Sequence, residues 1–149
     1  MSIIQNNMMD IAYISVEEQL STYMGAAFEE ICIQYLWKLN AAGKSAMTFF
    51  EIGRWWGGNP ETKEETEIDI LAIDRKGSAI FGECKWTNEN VDIAILDSLV
   101  KRSELFSFGN KHFYLFAKNG FTSGCEEKAT VMGNVTLVCY DEIYRYGEI

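Results

Sequence analysis

In the stretch IFGECKW, Ile80 to Trp86, a glutamate and a lysine stand two residues apart inside a run otherwise suited to a core strand. Strand side chains alternate faces, so Glu83 and Lys85 point the same way. Charged groups are rarely buried unless they are paired or bound to something. The run EIDILAID, just upstream, carries Asp69, and the residues DRKG between Ile73 and Ser78 signal a tight hairpin. Antiparallel pairing through that turn brings Asp69 and Glu83 to the same end of the hairpin, with Lys85 beside them. Glu67, Asp69, Leu71 and Ile73 are expected on one face of the first strand, and Ala79, Phe81, Glu83 and Lys85 on one face of the second. Two converging carboxylates suit a hard divalent cation such as Mg²⁺, with the carbonyl of Cys84 as a third protein ligand. A lysine at such a site orients or deprotonates a water, or stabilises developing charge. An ordinary ion-pair cluster at a sheet edge has the same spacing.

The remaining elements must hold these residues in place. Ser15 and Glu18 make an S-x-x-E capping box, which predicts a helix start there. That helix runs towards Leu39 and stops near AAGK, where Gly43 supplies the terminal turn; Gly25 is a candidate kink. Leu20, Met24, Ala27, Phe28, Ile31 and Tyr35 form its main apolar stripe. Gly25, Cys32 and Leu36 line another side with Glu29 among them, so Glu29 is a candidate inward carboxylate, against the alternative of a solvated charge. Glu30 lies off this line. AMTFFEIGRWW, TEIDILAID and SAIFGECKW read as strands, and GGNPETKEE as a loop. VDIAILDSLVKRSELF has helical spacing, with Leu96, Leu99, Val100 and Ser103 on one stripe. HFYLFAK is a strand, TSGCEEKATVM a short helix and VTLVCY a last strand. The order α-β-β-β-α-β-α-β predicts an α/β domain with a mixed sheet flanked by helices. Residues 1–14 are expected as an N-terminal arm and 15–149 as one domain.

Composition bounds the chemistry. Four dispersed cysteines and a single histidine argue against zinc, and no activating motif surrounds a Cys/His nucleophile. No apolar run is long enough to span a membrane, and the N-terminus lacks the pattern of a signal peptide, so a cytoplasmic protein is expected. The net charge of −9 is awkward for binding phosphate through Lys and Arg. A bound metal adds positive charge that this count omits.

With Glu29, Asp69 and Glu83-Cys84-Lys85 assembled, the chain resembles the PD-(D/E)xK nuclease-like superfamily: a helix glutamate, a strand aspartate and an E-x-K on the next strand, in a restriction-endonuclease-like α-β-β-β-α-β core. GAAFEEIC, IGRWWG, EIDILAID and FGECKW look more narrowly like a family of unknown function found at the C-terminus of archaeal-type AAA+ ATPases. The resemblance covers roughly residues 22 to 140. It implies Asp69 and Glu83 as ligands of Mg²⁺ or Mn²⁺, Lys85 acting on the attacking water, and Glu29 completing the acidic cluster through water or a second ion. The implied reaction is hydrolysis of a nucleic-acid phosphodiester, DNA ahead of RNA. Partners implied are an ATPase domain in cis or trans and a second copy of the chain, with no membrane. Two features depart from the pattern. Ile68, not proline, precedes Asp69, and the chain has no G-x-x-x-x-G-K-[ST], so either an excised C-terminal domain or a stand-alone relative is expected. A catalytically inactive module for regulation, dimerisation or protein binding is the competing expectation. Arg54 and Arg102 are weaker candidates for phosphate contact. Trp55 and Trp56 are read as one core ring and one surface ring, against base stacking. Lys101 is expected to pair with Asp97 or Glu104, and ETKEETE is read as a solvated loop.

Overall fold

The computed structural model describes residues 3–58, 61 and 63–147, with side chains from residue 19 onwards apart from residue 21. Helix α1 runs from Ile3 to Ala41. Its start therefore precedes the capping box: Ser15 lies inside the helix, and from Ile3 onwards the segment expected as an arm is its leading part. Residues 3–14 contain no Gly or Pro to halt it. The helix passes through Gly25 and ends as predicted, with Gly43 at φ 71° and the Lys44 N–H donating to the Leu39 carbonyl at 2.8 Å.

Five strands follow: β1 (Glu51–Gly58), β2 (Glu65–Ile73), β3 (Ser78–Lys85), β4 (Asn110–Ala117) and β5 (Val135–Cys139). Helix α2 (Ile93–Ser103) links β3 to β4, α3 (Ser123–Met132) links β4 to β5, and α4 (Tyr140–Gly147) follows β5 directly. The order matches the expected one with α4 added. Ile143 of α4 is buried and Tyr140 and Tyr146 pack on the same core; at eight residues the helix spans barely two turns, too short for its periodicity to stand out. Residues 59, 60 and 62 of the expected loop GGNPETKEE lie outside the described residues.

The sheet has the order β1-β2-β3-β4-β5, antiparallel up to β3 and parallel from there on. It is mixed, as expected, with helices on both faces. Ile70, Ala72, Ile80 and Phe116 meet Phe28, Cys32 and Leu36 of α1 on one face. Phe81, Phe113 and Leu115 meet Leu96, Leu99 and Cys125 of α2 and α3 on the other. Ser103 completes the predicted α2 stripe, while Val100 is only partly buried. On α1 the buried stripe begins at Phe28. The buried line is Phe28, Cys32, Leu36 and Leu39, so the side expected as the second one is the deeper: of the expected main stripe, Ile31 and Tyr35 are partly buried and Leu20 is 58% exposed. Among the described residues no helix is long and apolar enough to cross a membrane.

The predicted single face of β2 is broken. Leu71 pairs with Gly53 and Ile68 with Trp55, so Asp69 and Ile70 together stand opposite Arg54 alone. This β-bulge shifts the alternation by one. Ile68 consequently shares the α2-side core with Leu71 and Ile73, and Glu67 is on the other face, where it meets Arg54. Glu67 and Asp69 therefore do not continue the row of Leu71 and Ile73. Bulges of this kind re-aim a side chain, and the one re-aimed here is Asp69.

Candidate acidic site at the end of the hairpin

The β2–β3 hairpin forms as the sequence predicts. Asp74 caps its turn, accepting the backbone N–H groups of Lys76 and Ser78 at 2.8 Å each, and these bonds hold its carboxyl below the ordinary value. From that turn the ladder runs only as far as the pair Ile70–Gly82. Beyond it the Cys84 N–H donates to Asp69 Oδ2 at 3.0 Å, so a carboxylate takes the place of the next rung. The N–H and C=O of one strand residue share an edge. The Lys85 carbonyl accepts from the Lys118 N–H on the β4 side, so the Cys84 carbonyl faces the gap beside Asp69. The Cys84 thiol points elsewhere. It contacts Cys32 behind the sheet, and that contact together with burial pushes its pKa well up.

Glu83 emerges on the α2 face, only 9% exposed at its side chain. Arg102 at the end of α2 donates to Oε2 at 2.8 Å, and Lys85 Nζ lies 3.4 Å from Oε1. The contact between Glu83 and Lys85 follows from their shared strand face. Arg102 also donates to the Glu67 carbonyl at 2.5 Å and the Ser98 carbonyl at 3.2 Å. It thereby bridges β2 and β3 where rungs are missing. Glu29, from α1, is 24% exposed at its side chain and sits 3.7 Å from Arg54, which holds Glu67 at 2.6 Å.

The carboxylates sense one another. Burial and then repulsion from Glu83 hold the Asp69 carboxyl above its ordinary value, against the Cys84 N–H, Lys85 and Arg102. Burial and then Asp69 raise Glu29, against Arg54. Among the described residues no three His, Cys, Asp or Glu side chains stand close enough to hold a metal ion. The available donors are nevertheless all hard oxygens, from Asp69, Glu83 and the Cys84 carbonyl. The burial and mutual repulsion that raise Asp69 and Glu29 are what a divalent cation relieves. An ion at this end would be held by Asp69, Glu83 and the Cys84 carbonyl, and Glu83 would first have to leave Arg102 and Lys85.

The predicted site residues thus gather at one end of the hairpin, and Arg54 and Arg102 join them as ion-pair partners of the acids. Trp55 packs edge-on against Phe106 at 4.9 Å, and Trp56 is 70% exposed. Asp97 pairs with Lys128 of α3 in place of Lys101, a tertiary contact that helix spacing does not reveal. The Arg102–Glu83 pair is likewise absent from the sequence reading. Its signal was the position of Arg102 beside the buried stripe of α2.

Residues 1–96 match a family described as archaea bacterial proteins of unknown function. The chain belongs to this family. The matched segment contains Glu29, Arg54, Asp69, Glu83 and Lys85, and Arg102 lies beyond it. An uncharacterized protein of Methanocaldococcus jannaschii is 30% identical over 117 residues, covering 76% of this chain and 25% of that protein. The chain therefore spans a quarter of the length of the curated relative it matches. Among solved structures, a protein of unknown function, AF1548, shares the fold with a TM-score of 0.50 at 20% identity, over 74% of this chain and 58% of that one. A repair endonuclease from Pyrococcus abyssi gives a TM-score of 0.44 at 13% identity, over 74% and 45% of the two chains.

Proposed function

We propose that this family member is a nuclease-like domain that hydrolyses nucleic-acid phosphodiester bonds, DNA ahead of RNA, with Mg²⁺ or Mn²⁺ at the open end of the β2–β3 hairpin. The observation that carries the reading is the interrupted ladder. Asp69, bent inwards by a bulge, and the edge of Cys84 border one gap, with Glu83 and Lys85 on the adjoining rim. Asp69, Glu83 and the Cys84 carbonyl would hold the ion, and Glu29 would complete the cluster through water. The bound ion supplies Lewis acidity, stabilising charge on the phosphoryl and leaving oxygens. Lys85 orients the attacking water, and Glu83 holds Lys85 in place. Arg54, partly exposed at the mouth, draws a phosphate towards the acids when it exchanges Glu67 for the backbone of the nucleic acid. The relative's greater length supports a companion domain, which the sequence resemblance assigns to an AAA+ ATPase.

The test is cleavage of single- and double-stranded DNA and RNA with Mg²⁺ or Mn²⁺, comparing wild type with Asp69→Ala and Lys85→Ala. Each variant should lose activity by about a hundredfold or more, the scale of one positioned catalytic group. Cleavage that persists in both would sink the site assignment. One observation favours a second reading, an inactive module for regulation or dimerisation: both oxygens of Glu83 already face cations. Absence of metal binding and of cleavage on every substrate would select it.

A further inference from the structure

Glu83 is a nearly buried carboxylate, and Arg102 satisfies it. The guanidinium is committed on three sides: to Glu83, to the Glu67 carbonyl on the neighbouring strand, and to the Ser98 carbonyl of its own helix. It is itself only 21% exposed at the side chain. It neutralises the acid and ties the ends of β2 and β3 together, the two tasks a divalent ion would perform there. Both cannot be done at once. Mg²⁺ binds oxygen at roughly 2.0–2.1 Å, and Arg102 holds its nitrogen 2.8 Å from Glu83 Oε2. Two like charges would share one oxygen in a site largely shielded from water, where their repulsion is strong.

We infer that Arg102 is an internal counter-cation that the divalent ion must displace from Glu83, so that the domain exchanges an arginine-latched state for a metal-loaded one. The inference rests on the metal reading above. It concerns regulation: the latch lowers metal affinity while stabilising the metal-free fold. Arg102 is suited to leave because its long stem pivots at the end of α2, whereas Glu83 is fixed within a central strand. Lys85 does not serve the same purpose: its ammonium pairs with Glu83 on its own strand, whereas Arg102 donates to both β2 and β3.

The experiment measures Mn²⁺ and Mg²⁺ binding by calorimetry, and the metal-induced rise in Tm, for wild type, Arg102→Met and Lys101→Met. Lys101 is an exposed neighbour on the same helix, so its loss removes the same charge without the latch. Arg102→Met is expected to bind either ion about ten- to a hundredfold more tightly, the scale of one charge-assisted hydrogen bond. Without metal it should have a lower Tm than wild type, and it should gain more Tm on adding metal. Lys101→Met should match wild type. Adding Asp69→Asn should abolish binding in either background, which locates the ion. Should Arg102→Met fail to fold, Arg102→Gln keeps a polar side chain at this end of α2 while removing the charge and the reach to Glu83, and the same tightening is expected. Wild-type binding with no tightening in the Arg102 variants, or with equal tightening in Lys101→Met, overturns the latch and leaves the metal reading standing. No binding in wild type or in any Arg102 variant overturns the metal reading itself, and the latch with it.

Discussion

Gly82 sits on the last rung of the β2–β3 ladder, directly opposite Ile70. A Cβ placed on it would lie 2.9 Å from the Cβ of Ile70, and 3.4 and 3.5 Å from the next two carbons of that side chain. Opposed pairs in antiparallel strands ordinarily keep their Cβ atoms about 4.5–5.5 Å apart. Ile70 is fully buried and cannot swing aside, so Gly82→Ala must push the strands apart at the rung nearest Asp69. Overpacking of this kind costs about 1–3 kcal/mol, and replacing glycine within a strand returns about 0.5–1 kcal/mol. The net expectation is a loss of about 1–2 kcal/mol, read by urea unfolding monitored through the tryptophans. Because the clash is with a Cβ, trimming Ile70 to Val should not rescue the variant. Stability within about 0.5 kcal/mol of wild type, or recovery on adding Ile70→Val, would refute the reasoning.

Burial and Glu83 raise the Asp69 carboxyl above its ordinary 3.8. The folded state then holds this proton more tightly than the unfolded chain, so the associated stability is full below that value and is lost as pH rises towards the folded one. Asp69→Asn, whose amide oxygen still accepts from Cys84, should thus gain on wild type as pH rises across that window when divalent ions are absent; a flat difference across pH contradicts the electrostatic account. Phe81 is fully buried among Phe106, Phe108 and Phe113. Phe81→Ala should lower stability by about 3–5 kcal/mol, whereas the exposed Trp56→Ala should stay within about 0.5 kcal/mol of wild type. Equal losses in the two would show that the assignment of core and surface is wrong.

Much of the site was legible because its signals are local. The two-residue period put Glu83 beside Lys85, and the turn residues of DRKG fixed which strand ends meet. The rest depended on partners distant in sequence. The bulge at Asp69 has no glycine or other marker in β2; it appears only when β1 is paired alongside. Arg102 finds Glu83 across a crossover, and helix spacing could say only that it flanks the buried stripe. The start of α1 lies upstream of Ser15 because an S-x-x-E spacing can also fall inside a helix, where no free backbone N–H calls on its side chains.

The early end of the ladder also divides the hairpin into two mechanical regimes. From Asp74 to Ile70 the strands are laced by backbone rungs and should exchange their amide hydrogens only on cooperative unfolding. From Asp69 outwards they are joined by one carboxylate and one guanidinium, bonds that open individually. Each strand end stays laced to its outer neighbour, β1 or β4, so only the seam between them is open. Anything that grips both strand ends will register as slower exchange at the Cys84 amide, which donates into that seam.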